Sequence, residues 1–259
     1  MIRQKAAIFP LPFFLNSTIS IALKTLFISI IIPTLNEEQR IGLCLDRLLQ
    51  QIKKQDSQIG IIVVDGGSTD RTAQEVSARK ISLLSSEPGR GQQQHRGAET
   101  ANGEILLFLH SDTALPDTFF QDIRSTLRGN EVIAGAFRLR IKGYELGKLG
   151  FRLIETGVQL RSKLFSLPYG DQALFMRRAS YFAAGGFPQQ PIMEDVALIH
   201  RLRKLGRISI APSYVSTSAR RWQQHGLLKT TLINQLMLLG RAIGISPQQL
   251  ARFYYGQRK

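Results

Sequence analysis

Two short, unbroken apolar runs set what this chain can fold into. Phe27 to Ile32 and Ile61 to Asp65 are β-branched or apolar at nearly every position instead of at alternate ones. A strand with one wet face alternates, whereas a strand buried on both faces does not, and burial on both faces is the habit of parallel sheets. The first run ends at Pro33. Asn36 then stands where it can cap a helix, with Gln39 three residues on. Ile41, Leu45, Leu48, Leu49 and Ile52 follow at helical spacing. After the second run, Gly66, Gly67 and Ser68 make a tight turn into a helix starting near Asp70. Ile81 to Leu84 and Ile105 to Leu109 read as a third and a fourth strand. Strand, helix, strand, helix, strand is the order of a doubly wound α/β sheet, mostly parallel. Ligands of such sheets bind beyond the carboxyl ends of the strands. Attention therefore falls on Pro33 to Glu37, Asp65 to Asp70 and His110 to Thr113.

The second half is less regular. Val132 to Ile141 reads as a longer strand, Tyr169 to Met176 as a Gly-Asp turn entering a strand, and Glu194 to Leu205 as a helix ended by Gly206. The expected organisation is one domain over residues 27–225, an irregular or membrane-touching extension over 1–26, and a basic amphipathic tail over 226–259. Leu227 to Ile243 is strongly apolar but too short and too charged to span a bilayer. It suits a helix lying on an anionic membrane face, or equally one packed on the domain.

The chain carries 34 Lys and Arg against 19 Asp and Glu, a net charge of +15. No acidic residue follows Asp195. That asymmetry implies a polyanionic partner: a nucleic acid, an anionic membrane or a phosphorylated small molecule. No recognition-helix or basic-aromatic strand signature favours specific nucleic-acid binding. Cys44 is the single cysteine, which excludes an intrachain disulfide and a cysteine-based zinc cage, and it reads as a small packed residue. Cytoplasmic placement, on or near the inner membrane face, fits this composition. Residues 33–38 lack the Gly-x-Gly-x-x-Gly of a dinucleotide oxidoreductase, and no phosphate-binding P-loop appears.

Several strand-end residues have chemical potential. Asp65 can accept bonds from ribose hydroxyls or a base imide, or simply hold its own turn. His110 and Asp112, two apart with Ser111 between them, can share one ligand, and Asp112 suits a hard divalent cation on diphosphate oxygens. Glu194 and Asp195 open a helix, where the dipole favours acids whether or not they catalyse. Arg220-Arg221-Trp222 sets paired guanidinium forks beside the single indole.

Taken together, these segments resemble the family 2 glycosyltransferases of GT-A fold. The likeness runs from Phe27 to about Gly226 and rests on four stretches in order: "SIIIPTLNEE" from Ser29, "IIVVDGGSTDRT" from Ile61, "ANGEILLFLHSDT" from Ala101, and "GGFPQQPIMEDVALIHRLRKLGR" from Gly185. The resemblance implies a nucleotide-sugar donor, most simply a UDP-sugar, and a hydroxyl acceptor of lipid or apolar kind. It implies Pro33, Asn36 and Glu37 beside the nucleoside, with Asp65, Gly67, Arg90 and Ser111 completing the donor site. Asp112, aided by His110, would ligate Mg²⁺ or Mn²⁺. Asp195, with Glu194, would be the base, and Asp171, Arg221 and Trp222 would face the acceptor or the leaving diphosphate. Because no second carboxylate offers itself as a nucleophile, the resemblance implies inversion in a single displacement.

Departures from the family pattern are specific. Gly66 replaces the second Asp of the usual Asp-Asp-Gly-Ser, and His110 replaces the first Asp of Asp-x-Asp. Ser218 stands where processive members carry Gln, so non-processive transfer is expected. "HSDT", "GDQALFMRR" and "ARRWQQHG" resemble a small bacterial subgroup similar to carotenoid-ester glycosyltransferases and to transferases associated with radical enzymes. The competing reading is a nucleotidyltransferase on a similar sheet, or a basic membrane- or nucleic-acid-binding protein with a degenerate transferase fold.

Overall fold

A computed structural model describes residues 27–54, 58–129, 131–142, 151, 154–157, 168–220, 223 and 226–256. The extension expected over 1–26 lies outside them. An eight-stranded sheet organises the chain. Its first half contains β1 (Ile28–Thr34), β2 (Ile59–Asp65), β3 (Ser82–Ser85) and β4 (Ile105–Phe108), with α1 (Glu38–Lys53), α2 (Thr72–Ser77) and α3 (Arg90–Thr100) between them. These four strands are parallel in the order β3-β2-β1-β4, so the doubly wound expectation holds. β1 is the centre: Ile28, Ile30, Ile31 and Ile32 are all fully buried. Each such side chain contributes roughly 1.5–3 kcal/mol when taken from water. Ile30 and Ile32 face the layer holding α1, while Ile31 faces the layer holding α3.

Two local expectations fail. β1 does not stop at Pro33 but runs through to Thr34. Ile31 O accepts from Leu109 N on the β4 side. By alternation Pro33 N points the same way, past the last β4 partner, so its missing N–H costs no ladder bond. Nor does Asn36 cap α1. The N-cap is Glu37, without a side-chain cap bond, and Asn36 adopts φ 54° so that its side chain turns away toward the β2 turn.

The second half adds β5 (Thr113–Ala114), α4 (Phe119–Thr126), β6 (Val132–Lys142), a 3₁₀ turn at Gly170–Gln172, β7 (Phe175–Arg177), α5 (Arg178–Ala183), α6 (Glu194–Leu202) and β8 (Arg207–Ser218). It continues the sheet as β4-β7-β6-β8-β5 and makes it mixed: β7 and β5 run antiparallel to their neighbours, β6 and β8 parallel to each other. The twelve-residue β8 is invisible to period-two reading. Its buried positions Ile208, Ala211 and Val215 break alternation, because the register to β6 shifts between Ala136 and Arg138. Pro212 adds to the disguise.

The tail forms α7 (Leu227–Ala242) and α8 (Pro247–Tyr255). Ser246 caps α8 through a capping box with Gln249, and Pro247 sits at its first turn. Met237 and Leu250, with Ile233, Leu238 and Tyr254, pack on Met193, Val196, Ile192 and Tyr169. One side of this helix pair therefore rests on the domain, against the start of α6. Among the described residues no helix is long and apolar enough to cross a membrane.

Candidate active site

The parallel order places the carboxyl ends of β2, β1 and β4 side by side. The β1 and β2 turns are tied to each other. Asn36 N donates to Ser68 Oγ (2.8 Å), Glu37 N to Thr72 Oγ1 (2.8 Å) and Glu38 N to Asp70 Oδ2 (3.1 Å). In return Thr69 N donates to Asn36 Oδ1 (2.9 Å) and Arg71 N to Glu38 Oε2 (3.0 Å). The first-turn N–H groups of α1 are thus satisfied from thirty residues away, which is what a helix start without its own cap requires.

Asp65 lies inside this network. Its Oδ2 accepts from Gly67 N (3.1 Å) and Ser68 N (2.9 Å), and its Oδ1 from Ser68 Oγ (2.5 Å) and Thr34 Oγ1 (3.4 Å). A carboxylate offers about four lone-pair sites, so the turn already uses them all. Gly67, at φ 88°, supplies the left-handed residue the turn needs. A nucleoside hydroxyl reaching Asp65 must displace Ser68 or Thr34.

Gly66 explains itself here. A side chain on it would begin 3.0 Å from the Gln93 amide. Gln93, 4% exposed on α3, donates from Nε2 to Thr34 O (2.7 Å) and Val64 O (2.9 Å), tying the ends of β1 and β2. Sequence reading missed Gln93. The missing carboxylate at position 66 was the available signal, since something else must occupy that volume.

Ser111 is buried and Asp112 partly exposed on the loop between β4 and β5. β5 holds that loop by pairing Thr113 with Thr217, and the two hydroxyls approach to 3.3 Å. A cleft of about 360 Å³ opens beside Asp112, lined by Arg40, Arg47, Lys54, Ser111 and Ser218. Cys44 also borders it. Burial first, and the Asp112 charge second, push the Cys44 thiol up to about 12, so it stays protonated and apolar in behaviour.

The other wall is the Glu194-Asp195 corner. Met193, in the left-handed conformation at φ 61°, starts α6. Asn36, Ala173 and Met193 are three of the four non-glycine residues with positive φ among those described, and all three flank this rim. Such conformations cost energy and gather at functional sites. Asp195 Oδ2 accepts from Gly170 N (2.8 Å) and Oδ1 from Val196 N (2.7 Å). His110 Nε2 and Asp195 Oδ2 both lie within 3.5 Å of where a Gly170 side chain would begin. The β4 loop and the α6 start therefore meet over Gly170. Asp171 sits in the same 3₁₀ turn, which Gln172 anchors by donating to Phe137 O (2.9 Å).

Glu194 is buried and lies 3.8 Å from the half-exposed Arg90 guanidinium. Burial pushes the Glu194 carboxyl above the ordinary carboxylate range, and the Asp195 charge pushes the same way, against the pull of Arg90. Gly91 permits this approach: a side chain there would begin 2.9 Å from Pro188 O and 3.0 Å from Glu194 Cβ. Glu37 does not point outward alone. It pairs with Arg40 (3.2 Å) and with Arg220 (3.3 Å), which follows β8. Arg220 was the unassigned member of its motif, and it fastens that segment to the β1 turn. Arg221 and Trp222 lie outside the described residues. Pro33 is partly exposed on β1 where β4 has ended.

A divalent cation would meet a sparse protein donor set here. Asp112 offers carboxylate oxygen and His110 an imidazole, and among the described residues no cluster of three His, Cys, Asp or Glu forms a closed cage. Mg²⁺ and Mn²⁺ accept such sparse protein ligation when phosphates and waters complete the shell.

Comparison with known proteins shows the family and the fold. The sequence model of Glycosyl transferase family 2 matches residues 29–185. A PGL/p-HBAD biosynthesis glycosyltransferase of Mycobacterium bovis (strain BCG / Pasteur 1173P2) is 36% identical over 222 residues, covering 81% of this chain and 82% of that protein. Among solved structures, S. aureus TarS 1-349 in complex with UDP-GlcNAc is 22% identical with a TM-score of 0.56, over 74% of this chain and 58% of that one. Glucosyl-3-phosphoglycerate synthase from Mycobacterium tuberculosis, in complex with Mn²⁺, UDP and glucosyl-3-phosphoglycerate, is 20% identical with a TM-score of 0.52, over 74% and 72%. At these identities the likeness to the solved structures is one of fold. The relatives point to mycobacterial PGL/p-HBAD biosynthesis glycosyltransferases and glucosyl-3-phosphoglycerate synthases, and not specifically to the carotenoid-ester transferases that the sequence motifs resemble.

Proposed function

Because this chain belongs to glycosyl transferase family 2, and is an enzyme of that family, we propose that it moves a sugar from a UDP-sugar onto the hydroxyl of a lipid-linked or apolar acceptor at the inner face of the cell membrane. One observation carries the reading: His110, from the donor-side loop, and Asp195, from the opposite wall, come together over Gly170. A donor lying on the strand ends would thereby present its anomeric carbon to a carboxylate.

The β1 and β2 turns hold the nucleoside, with Pro33, Asn36, Glu37, Asp65 and Gly67 along its path. Asp112, with His110 beside it, would hold Mg²⁺ or Mn²⁺, which when bound neutralises charge on the departing diphosphate. Arg90 would add positive charge near the same oxygens, the task the resemblance also gives Arg221. Asp195 takes the acceptor proton as the acceptor oxygen bonds to the anomeric carbon and the bond to diphosphate breaks, with inversion. Two backbone N–H groups fix the orientation of its carboxylate. Glu194, held toward its protonated form, keeps a second negative charge away from Asp195. Asp171, in the 3₁₀ turn beside Asp195, would border the acceptor, the role the resemblance also gives Trp222.

The test is a thermal-shift panel of UDP-, GDP- and dTDP-sugars with and without Mn²⁺, on the wild type and Asp112→Ala. A donor at a hundred times its dissociation constant should stabilise by about 2.7 kcal/mol. The expected result is a Mn²⁺-dependent shift with UDP-sugars that Asp112→Ala abolishes. A folded protein that responds to no donor would remove the reading.

A further inference from the structure

The tail helices have a second side that the domain does not cover. Of the eleven exposed large hydrophobic residues among those described, seven fall between 232 and 255. The rest are scattered singly, which is ordinary for a protein surface. Leu232, Leu236, Leu239 and Ile243 recur at i, i+4, i+7 and i+11 and occupy roughly 60° of arc at about 100° per residue. They are 61, 43, 58 and 71% exposed. Met237 on the opposite side of α7 is 5% exposed and joins the cluster on α6. The helix is therefore apolar on both faces, and one face lacks a protein partner among the described residues. α8 adds Phe253, 65% exposed. Lys229, which precedes Leu232 on the same stripe, Arg241 and Arg252 are exposed cations of these helices.

Charge decides what covers such a face. No acidic residue occurs anywhere after Asp195. Arg241 lies about 170° round α7 from the centre of the stripe, so Lys229 and Arg252 are the cations on offer, and a second copy docked through the same helices would meet them with a surface that holds no acid. Residues 1–26 contain Arg3, Lys5 and Lys24 and no acid, so that segment repels it too. An apolar stripe among unopposed cations complements an anionic lipid surface, where side chains enter the acyl boundary and cations meet headgroups.

We propose that the outer face of α7 and α8, centred on Leu232, Leu236, Leu239 and Ile243, docks this protein onto an anionic bilayer. Its position gives the docking a consequence, which rests on the transferase reading above. The inner face of the same helices packs beside Met193 and Val196, flanking Glu194 and Asp195. A membrane on the outer face thus borders the wall that receives the acceptor, and selects an acceptor anchored in that leaflet.

Vesicle flotation tests this on the full chain, with phosphatidylcholine vesicles and with equimolar phosphatidylcholine and phosphatidylglycerol. The wild type should float with the anionic vesicles and scarcely with the neutral ones. Leu236→Asp/Leu239→Asp should lower the floated fraction at least about tenfold with melting unchanged, because both side chains are already exposed. Lys229→Glu/Arg252→Glu should lower it more modestly and weaken its salt dependence. Absence of flotation by a folded wild type overturns the proposal. So does a dimer, seen by light scattering, that Leu236→Asp/Leu239→Asp dissociates while no vesicle is bound. A UDP-sugar thermal shift on the same samples separates the two readings: flotation without any donor shift upholds the docking face and defeats the transferase assignment of the neighbouring site.

Discussion

The two walls of the site are built on different principles. On the β1–β2 side, hydroxyls, amides and the carboxylates of Asp65, Asp70 and Glu38 interlock through hydrogen bonds between two turns. On the α6 side, a buried acid faces a half-exposed arginine behind a left-handed methionine. The carboxylates of the first wall's turns are bonded before any ligand arrives. The second wall holds a buried acid with one distant cation. A scaffold that grips one substrate and reacts with another gains from that division, because preorganised binding and a poised base need opposite environments.

The contrast is open to attack in order of effect. Asp195→Asn should lower kcat/KM by about 10²–10⁴-fold, the usual worth of a general base, while donor-induced stabilisation stays as it was. A loss below tenfold would take the base role from Asp195. On the other wall the effects should appear in stability. Gly66→Asp should cost about 1–3 kcal/mol by forcing Gln93 aside. Adding Gln93→Ala should make the pair cost less than the two changes summed, and strict additivity in denaturant titrations would mean the two positions do not share that volume. Ser68→Ala should cost about 1–2 kcal/mol, because its hydroxyl serves both Asn36 and Asp65. An unchanged unfolding midpoint would show the cross-tie to be slack.

Glu194→Gln should move stability least, within about 1 kcal/mol, but should change its pH dependence. The raised folded value means that Glu194 holds its proton more tightly folded than unfolded. Its contribution is complete below the ordinary carboxylate range and is lost as pH rises through the raised value. The variant should therefore melt with a flatter profile from about pH 4 upward. A profile parallel to the wild type's would place the source of the pH response elsewhere.

The fold was legible where residues act locally. β1, β2 and β4 are short buried runs that cannot be anything else in a chain this size, and α1 follows at helical period. β8 was hidden because a bulge shifts which side chains face inward, and periodicity carries no record of a bulge. The site divided likewise. Asp65, Asp112 and Asp195 stand out as candidates because they end a strand, follow one and open a helix, respectively. Gln93 and Arg220 do not, because their significance lies wholly in what they touch: two carbonyls of other strands and a carboxylate 183 positions away. Asn36 misled for the same reason, since its capping chemistry is real but serves the neighbouring turn.

The reciprocal tie between the β1 and β2 turns reaches beyond the site. Neither α1 nor α2 carries a side-chain cap from its own N-cap residue, and α1 takes its missing acceptors from Asp70 and Thr72. The start of α1 cannot be completed until β1 and β2 have paired, whereas α2 has Asp70 as a local acceptor for Thr72 N (2.9 Å) and draws on the other turn only for Arg71 N. Helix ends that fray independently in most proteins are here conditional on a sheet contact some thirty residues distant, so the amides of Glu37, Glu38, Thr69 and Arg71 should exchange with solvent as one cooperative unit, opening only when the two strands part.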